Sequence, residues 1–307
     1  MGVLMKTAIV VMTRNPGEGI RQVLEQVNRQ SLTFGRRIVV DSNSTDQTCA
    51  IAKQYGFEVL SLGVQTFNHG GTREWCVRQL GETEVVIFLT QDAVLAATDS
   101  AEKLLAYFDD DRVGAAYGRQ LPQAGASKIA AHARLFNYGA EPQLKTYADR
   151  CELGIKTPFL SDSYAAYRLS ALAEAGGFPE RVIVCEDMYA GAKLLMKGYT
   201  IAYAADAEVY HSHDYDLVQE FRRYFDTGVF QKQEPWIRET FGAAEGTGLK
   251  LVKSQLWYLL RVGAYGEIVR AILGNAVKFF GYRLGLCYEL LPQSLCRHLS
   301  GQGYYFS

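Results

Sequence analysis

Residues 84–93 read EVVIFLTQDA. Glu84–Leu89 (EVVIFL), apolar from Val85 onward, reads as a strand that ends in Thr90-Gln91-Asp92-Ala93. A short run without alternation is what a strand covered on both faces requires. The same text recurs upstream. Ala8–Met12 (AIVVM) ends at Thr13-Arg14-Asn15-Pro16-Gly17, and Arg37–Val40 (RIVV) ends at Asp41-Ser42-Asn43-Ser44-Thr45-Asp46. Glu58–Ser61 makes a further strand. Between the strands lie helical periods. Residues 18–30 carry Ile20, Val23, Leu24 and Val27 on one face, and residues 47–55, capped by Thr45 or Asp46, carry Ile51 and Ala52. Asn68-His69-Gly70-Gly71-Thr72-Arg73 reads as a polar loop before a helix to about residue 80. Strands alternating with helices predict an α/β fold, a Rossmann-like, mostly parallel sheet covered by helices. Such sheets bind ligands beyond the carboxyl ends of their strands. The polar clusters at 13–15, 41–46 and 90–92 all stand there.

After residue 112 the pattern becomes mixed. Val113–Tyr117, Ser163–Arg168, Thr200–Tyr203 and Ala207–Tyr210 read as strands, with the last running into His211-Ser212-His213. Residues 127–138 and Glu186–Lys197 read as helices, and beyond 216 nearly everything is helical in period. This divides the chain into a core domain, 1–230, and a C-terminal helical extension, 231–307.

With 48% hydrophobic and 21% charged residues, the 307-residue chain has the composition of a globular protein. Its net charge of −1 gives no reason to expect nucleic acid as a partner. Residues 249–307 hold seven basic and two acidic side chains, an excess of +5, so residues 1–248 sum to −6. The six cysteines show no CxxC pair and read as thiols in a reducing compartment. No stretch reads as a signal peptide, and none approaches the roughly 18 to 20 apolar residues of a membrane span.

Several strand-end residues carry usable chemistry. Asp92 can bind a divalent cation that bridges to phosphate oxygens, since Mg²⁺ and Mn²⁺ are commonly held by one or two carboxylates plus substrate. It can equally cap a helix. Asp41 can accept hydrogen bonds from a base or ribose, or form an Asx turn. Glu186-Asp187 at a helix start can supply a general base, although acids favour helix N-termini anyway. His211 and His213 can complete a metal site begun by Asp92, or simply be hydrogen-bonded histidines.

Taken in order, AIVVMTRN (8–15), VVDSNSTDQT (39–48), FNHGGTRE (67–74), FLTQDA (88–93) and CEDMYAGAKLLMKGYTIAYAADAEVYHSH (185–213) resemble the family 2 inverting glycosyltransferases of GT-A fold, and within them the bacterial rhamnosyltransferases. The resemblance spans roughly residues 5–230. It implies that Thr13, Asn15, Asp41, Ser42, Arg73, Gln91 and Asp92 face the nucleotide sugar, with Arg73 near diphosphate or sugar. It further implies that Asp92 and His211 hold Mg²⁺ or Mn²⁺ and that Asp187, paired with Glu186, is the catalytic base. The family's Asp-x-Asp reads Gln91-Asp92-Ala93 here, and its double Asp after the second strand reads Asp41-Ser42.

The implied donor is dTDP-L-rhamnose, with another UDP-, dTDP- or GDP-sugar as the alternative. The implied acceptor is a glycan linked to polyprenyl diphosphate. The basic, aromatic tail suits the inner face of the cell membrane, or packs on the core or a second subunit as a homo-oligomer contact. A sugar-phosphate nucleotidyltransferase typically has a glycine- and arginine-rich loop after its first strand, which Thr13–Gly17 is not. A non-catalytic nucleotide-sugar-binding protein would lack the base or metal residue, whereas Asp92 and Asp187 are both present.

Overall fold

The computed structural model describes residues 5–63, 67–242 and 245–306. Strands β1 (Thr7–Thr13), β2 (Arg36–Asp41), β3 (Glu58–Ser61) and β4 (Val85–Thr90) pair in parallel in the order β3-β2-β1-β4. All seven residues of β1 are buried. Ala8, Val10 and Met12 join one apolar cluster, while Ile9 and Val11 join another on the opposite face. Helices α1 (Ile20–Asn28) and α2 (Thr48–Gln54) cover the second face, and α3 (His69–Arg78) covers the first. Double coverage is why these strands do not alternate in sequence. Each fully buried aliphatic or aromatic side chain contributes about 1.5–3 kcal/mol, so the two clusters outweigh any surface contact.

Beyond β4 come β5 (Val94–Leu95), α4 (Ser100–Leu105), β6 (Val113–Leu121), α5 (Lys128–Asn137), β7 (Gln143–Lys145) and α6 (Arg150–Leu153). They are followed by β8 (Tyr164–Arg168), α7 (Leu169–Glu174), α8 (Glu186–Met196) and β9 (Thr200–Tyr210). β8 lies antiparallel between β4 and β6, β6 runs parallel to β9, and β5 and β7 pair antiparallel with β9. The mixed text after residue 112 is thus a mixed half-sheet.

Three sequence expectations are corrected. The two short strands at 200–203 and 207–210 are one continuous β9, whose register to β6 shifts between Gly118 and Arg119. Ala205–Ala207 fall outside that pairing, a bulge that interrupts the ladder locally while the strand continues. Likewise Asn68–Arg73 is no loop. Asn68 is the N-cap of α3, its Oδ1 accepting from Gly71 N at 2.5 Å, and His69–Arg73 form the first turns. The glycines serve packing: a Cβ on Gly70 would stand 2.0 Å from the carbonyl oxygen of Pro179. At α2, Gln47 occupies the N-cap position without a side-chain cap, while Asp46 accepts from Thr48 N at 3.0 Å and Gly17 N at 2.9 Å.

Gly70→Ala is therefore expected to push α3 off the Pro179 segment and lower stability by about 1–3 kcal/mol, as overpacking does. A thermal melt checks it, and an unchanged melting temperature would show that the segment yields freely.

Helices α9 (Leu217–Gln233), α10 (Pro235–Phe241), α11 (Glu245–Arg261), α12 (Ile268–Leu286) and α13 (Gln293–Leu299) complete the chain. Residue 230 falls inside α9, and Ile237, Phe241, Cys296 and Phe306 enter the first apolar cluster. α9 and α12 meet backbone to backbone. A Cβ on Gly281 would lie 2.6 Å from the Phe221 carbonyl oxygen, and one on Gly285 would lie 2.1 Å from that of Phe225. Among the described residues, no helix is long and apolar enough to cross a membrane.

Candidate functional site

The carboxyl end of β4 delivers Thr90, Gln91 and Asp92 to a cleft of about 720 Å³. Just past the end of β9, His211 and His213 reach the same point. Their Nε2 atoms each lie 3.4 Å from an Asp92 carboxylate oxygen and 3.0 Å from one another. The three ligand atoms lie within 4.8 Å of one another. His211 Nδ1 stands 2.9 Å from the Oε1 of buried Gln120, an acceptor only, so Nδ1 keeps its proton; Nε2 donates toward Asp92 while the ring is charged and would offer its lone pair once a cation displaced that proton. Burial works against the charge of Asp92, but the hydrogen bond and charge of His211 outweigh it and hold the carboxyl at about 2. Burial and the neighbouring His211 lower the His213 imidazole to about 4, so it is neutral at physiological pH. One carboxylate and two imidazole lone pairs suit a divalent cation, the nitrogen donors favouring Mn²⁺ over Mg²⁺. His213 is thus a ligand candidate alongside the expected Asp92 and His211.

A second cluster opens α8. Its N-cap residue Cys185 holds φ +63°, a left-handed conformation uncommon outside glycine. That turn brings Glu186 and Asp187 into the first helical turn. Glu186 Oε1 lies 2.7 Å from Arg73 Nη1, and Arg73 Nε lies 2.7 Å from Asp162 Oδ2. Tyr167 OH donates to the other Asp162 oxygen at 2.5 Å. Arg73 is 4% exposed and sits 5.8 Å from the Phe88 ring.

Two carboxylates thus pair with one guanidinium, and Asp187 stands near enough to feel the same charge. Burial opposes ionisation of Glu186, yet Arg73 keeps it below the usual carboxylate range. Burial raises Asp162 to about 6. Burial, reinforced by Glu186 and Asp162, lifts Asp187 well above the ordinary range. Asp187 lines the cleft, accepting from Met188 N at 2.7 Å and Asp162 N at 3.4 Å. A carboxylate made more basic by its neighbours and open to the cleft is suited to general-base work.

The remaining expected residues divide into two groups. Thr13, Ser42, Arg73, Gln91 and Asp92 line the cleft, and Gln91 Oε1 straps β1 to β4 by accepting from Arg14 N at 2.7 Å. Asp41, Asn15 and Glu186 are not among its lining residues. Asp41 is buried and accepts from Ser44 N at 3.1 Å, an Asx-type contact, and Asn15 Oδ1 accepts from Thr45 N at 2.7 Å. Arg73 pairs with carboxylates. Gln120 and Asp162, which orient His211 and Arg73, went unnoticed in the sequence because each meets its partner only through the folded sheet.

Comparison with known proteins agrees with this geometry. The family model Glycosyl transferase family 2 matches residues 8–176. The O-antigen chain rhamnosyltransferase RfbN of Salmonella typhimurium is 44% identical over 297 residues, covering 96% of this chain and 94% of that protein. The O-antigen chain rhamnosyltransferase WbaN of Salmonella anatum is 44% identical, covering 95% and 93%. Among solved structures, the mannosyltransferase PcManGT from Pyrobaculum calidifontis, in complex with GDP-Man and Mn²⁺, superposes with a TM-score of 0.60. It shares 18% identity over 98% of this chain and 84% of its own, a likeness of fold. With a strand-end Asp-His-His triad that could hold a cation, a basic carboxylate across the same cleft and these relatives, the chain belongs to the family 2 glycosyltransferases.

Proposed function

We propose that this glycosyltransferase moves L-rhamnose from dTDP-L-rhamnose to a hydroxyl of a cell-surface glycan, with inversion at the anomeric carbon. The observation that carries the reading is the placement of the Asp92–His211–His213 cluster and Asp187 in one cleft. The rhamnosyl assignment is supported by two relatives of that activity at 44% identity over nearly the whole chain.

The geometry supports the following roles. Thr13, Ser42 and Gln91, at the ends of β1, β2 and β4, form the donor wall. Asp92, His211 and His213 would hold Mg²⁺ or Mn²⁺, which when bound supplies Lewis-acid stabilisation for the departing diphosphate. Asp187 takes the acceptor hydroxyl proton as that oxygen attacks the anomeric carbon and the bond to diphosphate breaks on the far side. Arg73 and Asp162 position the Glu186-Asp187 turn.

Residues 1–230 carry the donor chemistry and the later helices face the acceptor. We further place the protein at the cytoplasmic face of the membrane. The reading is supported by the +5 charge of residues 249–307 and by an outer face of α12 that exposes Val269, Ile272, Leu273, Phe279 and Phe280.

Isothermal titration with dTDP-rhamnose, UDP-glucose and GDP-mannose, each with and without Mn²⁺ or Mg²⁺, tests the donor. The expected result is metal-strengthened binding of the dTDP sugar, with Mn²⁺ the better ion. Preference for a UDP or GDP sugar would discard the rhamnosyl assignment.

A further inference from the structure

Gln120 serves two side chains at once. Its Oε1 accepts from His211 Nδ1 at 2.9 Å and also from Nη1 of Arg134, on α5. Its Nε2 donates to Ser161 Oγ at 2.9 Å, so the amide is oriented with Oε1 toward both. Arg134 lines the cleft, half-buried, with its guanidinium 5.6 Å from the centre of the Tyr138 ring. Its Nε is buried without a hydrogen-bond partner.

The other arginines and the lysine of the cleft are accounted for. Buried Arg73 and half-buried Lys278 pair with carboxylates, and Arg14, Arg223 and Arg270 are exposed. The acids of the cleft are also taken. Asp92 faces the two histidines, Asp187 accepts from Met188 N, Asp214 accepts from Ser127, and Glu220 pairs with Lys278. Among the described residues, Arg134 is thus the half-buried cation of the cleft wall with no carboxylate. A guanidinium drawn out of water is costly until an anion joins it, and a neutral amide oxygen compensates only in part.

The position of Arg134 is tied to the Asp92–His211–His213 cluster. The N-cap of α5, Ser127, donates through its N to Asp214 Oδ2 at 3.1 Å, one residue after His213. Gln123 N donates to Ser212 Oγ at 3.0 Å, and Gln123 Nε2 donates to the Asp92 carbonyl at 3.1 Å. Helix, histidine segment and the end of β4 therefore form one hydrogen-bonded unit. Within it Arg134 stands a single amide away from His211.

We propose that Arg134 is a catalytic residue of the transfer, donating N–H bonds to the β-phosphate of the departing nucleoside diphosphate. As the bond from the anomeric carbon to the β-phosphate oxygen breaks, its electron pair stays on that oxygen. Arg134 meets the added charge without giving up a proton, because a guanidinium stays protonated throughout. This assignment rests on the reading that the cleft transfers a sugar from a nucleoside diphosphate.

The test is calorimetric titration of the full chain in EDTA with dTDP and, separately, with dTMP, which lacks the β-phosphate. Wild type should bind dTDP more tightly than dTMP. Arg134→Gln should weaken dTDP about ten-fold, the scale of a charge-assisted hydrogen bond, and dTMP by less than about two-fold. Mn²⁺ titrated alone should bind both chains equally. In turnover at saturating Mn²⁺, kcat of Arg134→Gln should fall by about 10²–10³-fold, the loss of one donor to a developing oxyanion, and Arg134→Lys should recover part of it. Equal losses for dTDP and dTMP would place Arg134 away from the β-phosphate, and an unchanged kcat would remove it from the reaction. Weakened Mn²⁺ binding in Arg134→Gln would make the residue a prop for Gln120 and His211 instead. A wild-type chain that binds none of dTDP, UDP and GDP, with or without Mn²⁺, would overturn the functional reading itself.

Discussion

Asp187→Asn is expected to reduce transfer by about 10²–10⁴-fold, the usual contribution of a positioned general base. Donor affinity should persist, because the cleft residues at the ends of β1, β2 and β4 are untouched. The substitution also removes one of three carboxylates crowded around Arg73, so the melting temperature should hold or rise. The wild-type pH profile supplies an independent check. A base must be unprotonated to act, and burial with Glu186 and Asp162 lifts the Asp187 carboxyl well above its ordinary range. Activity should therefore fall on acidification at a pH higher than an exposed aspartate would give. The variant should lose that acid limb along with the rate. Normal turnover in Asp187→Asn would remove the residue as base.

Asp92→Ala should be comparably severe but different in kind. It deletes the single carboxylate of the Asp92–His211–His213 cluster, leaving two imidazoles with no anionic ligand. Both metal-strengthened donor binding and turnover should fall, with kcat/KM lower by about 10³-fold, on the scale of several kcal/mol of Lewis-acid stabilisation. Raised Mn²⁺ should recover part of the activity in Asp92→Ala and none in Asp187→Asn. Metal-independent activity equal to wild type would remove the cluster from the reaction.

Much of this site was legible in the sequence because burial writes plainly. Val85–Leu89 and Ala8–Met12 are apolar at every position, so their strand character and the crevice at their ends follow from residue type alone. Asp92, Asp187 and His211 stand out at element ends, and the family resemblance gives them their expected roles. The start of α3 was misread for the opposite reason. Gly70 and Gly71 look like turn residues, but they are there for the approach of a segment more than 100 residues later in the chain. Asp162 was equally invisible: nothing near it in sequence hints at Arg73, and only the antiparallel insertion of β8 beside β4 brings them together. His213 stood two residues from His211, a spacing that puts side chains on one face only in a strand. Here the pair converges on Asp92 just after β9 has ended.

The contact of α12 with α9 separates two properties that usually trade against each other. The helix is held by glycine backbone at Gly281 and Gly285, while Val269, Ile272, Leu273, Phe279 and Phe280 point away from the fold. Its outer surface is therefore a coat that can be rewritten. Replacing Phe279 and Phe280 by polar residues would leave the inter-helix seam intact, yielding a protein that handles well at high concentration, with its cleft unaltered for crystallisation or donor screening.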